Sequence, residues 1–256
     1  MNYSEVLKNL PSEFNLLENP PASIFYRGDP SLLTARKVSI IGARKAYPYS
    51  RNMTQSLASE LSKRGVCVVS GGAMGIDALA HEGAYPNTIA VLANGLDIHY
   101  PKVNKNLLQK MSESALLLSE YEDGEEARNY SFVHRNRLVV ALGEVLVVAQ
   151  ADLNSGSMRS VEFALQMQKK IYVLPHRLGE SEATMKLLDE GKAELITDIK
   201  KFADRFGSYM ECSDPFLQLC SNNPSYEEAR SFDALKLFEY ELSGKIKVIN
   251  GKVQLS

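Results

Sequence analysis

Val38-Ser39-Ile40-Ile41-Gly42-Ala43-Arg44-Lys45 opens the regular part of this chain. Its β-branched apolar run, closed by glycine, reads as a buried strand. Downstream, Met53, Leu57 and Leu61 recur at four-residue steps and Gly65 follows, which predicts a helix over 49–64 with a glycine stop. The alternation then repeats. Strands are expected at Val66–Val69, Thr88–Leu92, Ala115–Leu118, Val145–Ala149 and Ile171–Leu174. Helices are expected at Ala73–Gly83, Asn104–Met111, Val133–Leu142 and Ser157–Lys169. Strands separated by helices form βαβ units with right-handed crossovers and a mostly parallel sheet covered on both faces. The expected fold is α/β: an extended, doubly wound, Rossmann-like domain over 37–207.

The flanks read differently. Residues 1–36 form an N-terminal lead-in, with a short helix around Tyr3–Leu10 followed by Pro20-Pro21 and Gly28-Asp29-Pro30 loops. After Ile199 the alternation fails, and Asp214-Pro215 and Asn222-Asn223-Pro224-Ser225 punctuate the chain. Ser225 with Glu228 has the spacing of a capping box for a helix from Tyr226. A second helix is expected at Leu235–Leu242, then a hairpin from Ile246 to Leu255 around an Asn250-Gly251 turn of type I′. Two helices and a hairpin suggest a small winged-helix-like module over 214–256.

Bulk properties narrow the function classes. The chain has 256 residues, 45% hydrophobic and 23% charged, an ordinary globular composition. Its three cysteines, Cys67, Cys212 and Cys220, are odd in number and form no CxxC pair, and its four histidines are scattered. Neither a disulfide framework nor a metal site is expected, which fits a reducing cytoplasm. Met1–Leu10 carries no secretory pattern, and the most apolar stretch, Leu138–Ala151, is broken by Gly143-Glu144 and is too short to span a bilayer. A net charge of −2 does not by itself advertise nucleic acid. Any DNA contact must come from local clustering of Lys and Arg.

In an open parallel sheet, ligands bind beyond the carboxyl ends of the strands. Gly42-Ala43-Arg44-Lys45, Ser70-Gly71-Gly72-Ala73-Met74-Gly75-Ile76-Asp77, Asn94-Gly95-Leu96-Asp97, Glu120 and Asn154-Ser155-Gly156-Ser157 all stand there. Glycines admit a close approach of backbone, and helix N-termini present N–H groups to phosphate oxygens. Arg44, Lys45, Arg51, Arg135 and Arg137 add charge to the rim. The glycine turn matches neither the G-x-G-x-x-G fingerprint nor the P-loop, and taken alone such a turn is more often a packing device than a phosphate site. Asp77 reads as a cap for its helix. Phe132-Val133-His134-Arg135-Asn136-Arg137 combines an aromatic ring with two guanidiniums, the mixture that holds a single strand, with Arg128 extending the patch. The same segment also reads as a solvated basic helix start. Glu120 and Asp97 are candidate carboxylates, with capping or ion pairing as their alternative roles.

Taken in order, these segments resemble the DprA/Smf family. The resemblance runs through Ile41-Gly42-Ala43-Arg44-Lys45 with Tyr49-Ser50-Arg51, Val69-Ser70-Gly71-Gly72-Ala73 with Gly75-Ile76-Asp77 and His81, and Gly95-Leu96-Asp97 with Tyr100-Pro101 and Asn104. Leu118-Ser119-Glu120-Tyr121, Phe132 with Arg135-Asn136-Arg137, and Ser155-Gly156-Ser157 complete it. The resemblance implies a non-enzymatic protein of natural transformation. Such a protein binds and protects single-stranded DNA, dimerises and loads the RecA recombinase, without a cofactor or a membrane. On matching positions it implies Arg44 and the Gly71-Gly72 turn as phosphate contacts, Phe132 as a base-stacking ring, Arg135 and Arg137 as support, and Ser155-Gly156-Ser157 as a source of N–H groups. Gly42, Lys45, Arg51, Asn94 and Arg128 fall within the same implied DNA-binding surface. The chain departs from the family in its short N-terminal segment and in Met158-Arg159 after the serine-glycine turn. The competing reading is a nucleoside monophosphate phosphoribohydrolase of the LOG group, whose P-G-G-x-G-T-x-x-E signature is absent. A third is a nucleotide-sensing module without catalysis.

Overall fold

The computed structural model describes residues 3–209, 214–249 and 251–255. The chain divides into two compact units, Met1–Tyr209 and Met210–Ser256. In the first, the strands are β1 (Glu5–Val6), β2 (Phe25–Gly28), β3 (Lys37–Gly42), β4 (Cys67–Ser70), β5 (Thr88–Leu92), β6 (Leu116–Ser119), β7 (Leu146–Gln150), β8 (Ile171–Val173) and β9 (Glu194–Leu195). The helices are α1 (Pro48–Ser62), α2 (Ile76–Ala84), α3 (Lys105–Ser114), α4 (Asn129–Leu142), α5 (Gly156–Gln166), α6 (Glu182–Asp189) and α7 (Ile199–Ala203).

The nine strands form one sheet in the order β1-β2-β6-β5-β4-β3-β7-β8-β9. Every pairing from β6 to β9 is parallel, whereas β2 runs antiparallel to both β1 and β6. The chain winds outward from β3 through β4 and β5 to β6, then returns to place β7 on the other side of β3. The reversal between β3 and β7 is the topological switch point, where an open sheet leaves a crevice at its carboxyl edge.

Period-two alternation along the strands sorts the core into layers. Ile41, Val69, Val91, Leu118 and Val148 face one side and pack with Leu138–Leu142 of α4 and Val161 and Ala164 of α5. Ile40, Val68 and Val147 face the other, against Leu57 and Leu61 of α1, Ile76 and Ala80 of α2, and Phe202 of α7. Ala90, Leu92 and Leu117 cover Leu108 and Met111 of α3.

The N-terminal segment departs from expectation. Around Tyr3–Leu10 there is a short strand, β1, in place of a helix, and β2 extends the sheet beside β6. Phe14, Leu17 and Ile24 are buried in the main core. The segment is therefore part of the sheet rather than a lead-in to it. Strands this short, on an antiparallel edge, show too few residues for a period to register. The elements α6, β9 and α7 after β8 were likewise not expected.

The second unit contains three helices, α8 (Pro215–Cys220), α9 (Tyr226–Phe232) and α10 (Ala234–Leu242), followed by a hairpin of β10 (Ile246–Ile249) and β11 (Lys252–Leu255). The Ser225–Glu228 capping box forms as its spacing predicts. Asp214-Pro215 punctuates the chain by starting a helix: the Asp214 carboxylate accepts from Phe216 N at 2.9 Å and proline occupies the first turn. Phe216, Cys220, Ala229, Leu237, Ile246 and Val253 form a small separate core. The expected type I′ turn involves Asn250, which lies outside the described residues.

Candidate functional site

A cleft of about 460 Å³ opens at the switch point. The loop after β3 supplies Gly42, Arg44 and Lys45, the loop after β4 supplies Gly71 and Ala73, and the segment after β7 supplies Asp152 and Ser155-Gly156-Ser157. One face of α4 closes it with Asn129, Phe132, Val133, Arg135, Asn136 and Val139. A smaller hollow adjoins it on the β5 side, lined by Gly72, Asn94 and Tyr100 and sharing Arg44, Phe132 and Arg135.

The approach of the loops depends on Gly75. At φ +77° it precedes α2, and a Cβ there would collide with the carbonyl oxygens of Ala43 and Arg44. Ile76 N donates to Ala43 O at 3.2 Å, so the start of α2 buttresses the segment that carries Arg44. Arg44 projects into solvent, with its guanidinium 5.7 Å from the centroid of the Phe132 ring. The half-buried Phe132 also meets Tyr100, which is 46% exposed, at 5.8 Å between ring centroids and an interplanar angle of 41°. An exposed cation and two partly open rings therefore share one rim, a surface suited to a planar base flanked by phosphate.

Beneath the rim lies a buried cation. Nη1 of Arg135 donates to the carbonyls of Gly71 and Val91. A Cβ on Gly71 would stand 2.5 Å from that nitrogen, so glycine is required for this approach. Asp77 accepts from Gly71 N at 3.2 Å and Ala73 N at 3.3 Å. Burial lowers the Arg135 pKa to about 10, against the opposing effect of Asp77, so the guanidinium stays charged at neutral pH. Burial likewise pushes the Asp77 carboxyl up, against the opposing pull of Arg135. Both polar groups of Gly71 are thus engaged within the protein. The glycine turn shapes the cleft, while its N–H is already donated to Asp77.

Unengaged backbone donors come instead from α5. Ser155 caps this helix in an extended conformation, its Oγ is buried without a partner, and Gly156 and Ser157 form the first turn beside the cleft. First-turn N–H groups lack intrahelical acceptors and favour an anion.

Not every expected residue reaches the cleft. Gly42, Arg44, Lys45, Gly71, Phe132, Arg135, Ser155, Gly156 and Ser157 line it, and Gly72 and Asn94 line the smaller hollow. The Asn94 amide is committed to its own loop, donating to Gly95 O at 2.8 Å and Ile98 O at 2.6 Å. Arg137 points elsewhere: it is buried and pairs with Glu120 at 2.5 Å. Helical residues are turned about 100° from one to the next, so Arg135 and Arg137 diverge by about 200° and cannot both face one cleft. Arg128 is the exposed N-cap of α4, and Arg51 is exposed on α1; neither lines the cleft or the hollow. Asn136, part of the Phe132–Arg137 segment, lines the cleft, and Tyr100, Asn129 and Asp152 join the site without having been expected there. Tyr100 carries a usable signal in its place beyond β5, whereas Asn129 depends on where α4 begins.

A model of the family described as DNA recombination-mediator protein A matches residues 2–207. The chain belongs to this family, DprA/Smf. Among curated DprA proteins it is 34% identical to that of Streptococcus pneumoniae, over 73% of this chain and 67% of the relative. It is 30% identical to that of Bacillus subtilis, over 82% and 72% respectively. A solved structure of DNA processing protein A from Helicobacter pylori superposes with a TM-score of 0.78 at 44% identity, covering 79% of this chain and 94% of the other. The S. pneumoniae DprA structure superposes with a TM-score of 0.73 at 32% identity, covering 78% and 71%. The sheet and its flanking helices are thus the DprA fold. Among the described residues no group of three metal-ligating side chains is placed to hold an ion, and no helix is long and apolar enough to cross a membrane.

Proposed function

We propose that this chain binds single-stranded DNA across the β3/β7 crevice. The observation that carries the reading is the grouping of Phe132, Tyr100 and Arg44 on one rim of the cleft that the first turn of α5 also lines. Bases stack on aromatic rings and phosphates take guanidinium and N–H donors, an arrangement that a duplex with its bases stacked inside cannot use. The H. pylori relative is described for its single-stranded DNA binding mode, which supports the assignment. Within the family's setting, the strand is incoming DNA in transformation, held in the cytoplasm by a homodimer and passed to RecA. The role is binding rather than catalysis. Glu120 is committed to Arg137, Asp77 to the Gly71 turn and Asp97 to Gly124 N, so the candidate carboxylates serve structural bonds.

Titration of fluorescent oligothymidine and a matched duplex at two salt concentrations tests this. Preferential single-strand binding that weakens with salt is expected. Equal affinity for duplex, or release of base from a nucleoside monophosphate, would overturn it in favour of the hydrolase reading.

A further inference from the structure

Beyond the central crevice, a second hollow of about 490 Å³ lies along the same sheet edge, lined by Tyr47, Pro48, Tyr49, His176, Arg177 and Glu180, with Pro175 at its side. Its walls are the start of α1, which follows β3, and the loop after β8. Between β3 and β8 stands only β7. Two bonds hold the walls to β7: Tyr47 N donates to Gln150 Oε1 at 2.9 Å, and His176 Nε2 meets Ala149 O at 2.8 Å. Lys45 lines the central cleft and Tyr47 lines this hollow, two Cα steps of about 3.8 Å apart. The two cavities are therefore neighbours on one edge.

The chemistry of the central rim is repeated here. Tyr47 is 47% exposed and Tyr49 is 40% exposed, with His176 edge-on to Tyr49 at 5.9 Å. Arg177 is exposed in the wall. Arg51, which the central cleft leaves unused, follows Tyr47 by four residues, and its N–H donates to Tyr47 O at 3.0 Å. Tyr47 is the extended N-cap of α1, and Arg51 stands one turn further along that helix, outside the lining of the hollow. Open rings beside an exposed guanidinium are what successive nucleotides of a single strand require.

We infer that a strand leaving the central crevice continues across β7 into this hollow, with bases on Tyr47 and Tyr49 and a phosphate on Arg177. This rests on the single-strand reading of the central crevice and assigns the direction and extent of the bound strand.

The test uses the full chain, oligothymidines of about 6 and about 15 nucleotides, and a Tyr47→Ala/Tyr49→Ala variant. Wild-type protein should bind the longer strand more tightly. The variant should keep wild-type affinity for the shorter strand and lose roughly tenfold or more for the longer one. In parallel, longer strands carrying 5-iodouracil are photo-crosslinked and the adducts mapped. An adduct on the peptide bearing Tyr47 or Tyr49 is expected. A variant that retains the full gain with length, or adducts confined to peptides bearing Phe132 and Tyr100, would overturn the inference and leave the central site intact. Failure of the wild-type protein to bind either strand would instead refute the single-strand reading itself.

Discussion

The guanidinium of Arg135 sits against the backbone of Gly71, held there by the carbonyls of Gly71 and Val91. One side chain from α4 thereby clamps the end of β4 to β5, with Asp77 closing the turn from the other side. Arg135 lines the cleft but its hydrogen bonds point inward, so its charge reaches a ligand as a field from below while its geometry shapes the turn.

Arg135→Ala should therefore damage folding before it damages binding. It strands two buried carbonyls and removes the cation whose field offsets the buried Asp77, and each stranded buried acceptor costs about 1–3 kcal/mol. A large fall in the urea midpoint is expected, partly restored by Arg135→Lys, which keeps a single nitrogen to donate to both carbonyls on a stem of different reach. A wild-type midpoint for the alanine variant would refute the clamp.

Arg44→Ala should behave in the opposite way. The side chain is exposed, and among the described residues it forms no ion pair, so the thermal midpoint should not move. Affinity for single strands should weaken on every sequence, and the slope of log K against log salt should become shallower by about 0.7 for each phosphate that is no longer neutralised. A sequence-selective loss would point to base recognition instead.

Phe132→Ala should cost about 1–3 kcal/mol of binding if a base stacks on the ring. Phe132→Tyr should retain most of it. Repeating the titration with an abasic strand separates stacking from altered cleft shape, because the alanine variant and the wild type should then bind alike. A persistent difference on the abasic strand would remove the stacking role.

His81 predicts an acid sensitivity unrelated to DNA. It is fully buried, its Nδ1 lies 2.7 Å from Thr88 Oγ1, and that hydroxyl in turn donates to Val68 O. Nδ1 is therefore the protonated nitrogen. Burial depresses its pKa from 6.5 to about 3. Between those values the unfolded chain holds a proton that the folded chain does not. Stability is full above about pH 6.5 and falls as pH drops toward about 3, by up to about 1.4 kcal/mol per unit. Urea midpoints near pH 7 and pH 5 should differ less in His81→Gln than in wild type; an equal fall in both would exclude His81 as the source.

Much of this architecture was legible because its signals are local. Gly65 ending α1, the β-branched runs of β3, β4, β5 and β7, the Ser225–Glu228 cap and the pairing of β10 with β11 each depend on residues within one or two turns of chain. The strands β1, β2 and β9 were not legible, since two to four residues on a sheet edge acquire their conformation from a partner strand far away in sequence.

The candidate site divides along the same line. Segment order alone located the ligand edge: Gly42–Lys45, the Gly71 turn and Ser155–Ser157 stand beyond the carboxyl ends of parallel strands, where a doubly wound sheet leaves its opening. The destination of each arginine was a tertiary matter. Arg135 and Arg137, adjacent but for Asn136, part company because α4 rotates them to opposite sides, one to the Gly71 carbonyl and the other to Glu120. Composition and spacing place charges on a segment, whereas helix phase and the strands packed against it determine which charges remain available to a ligand.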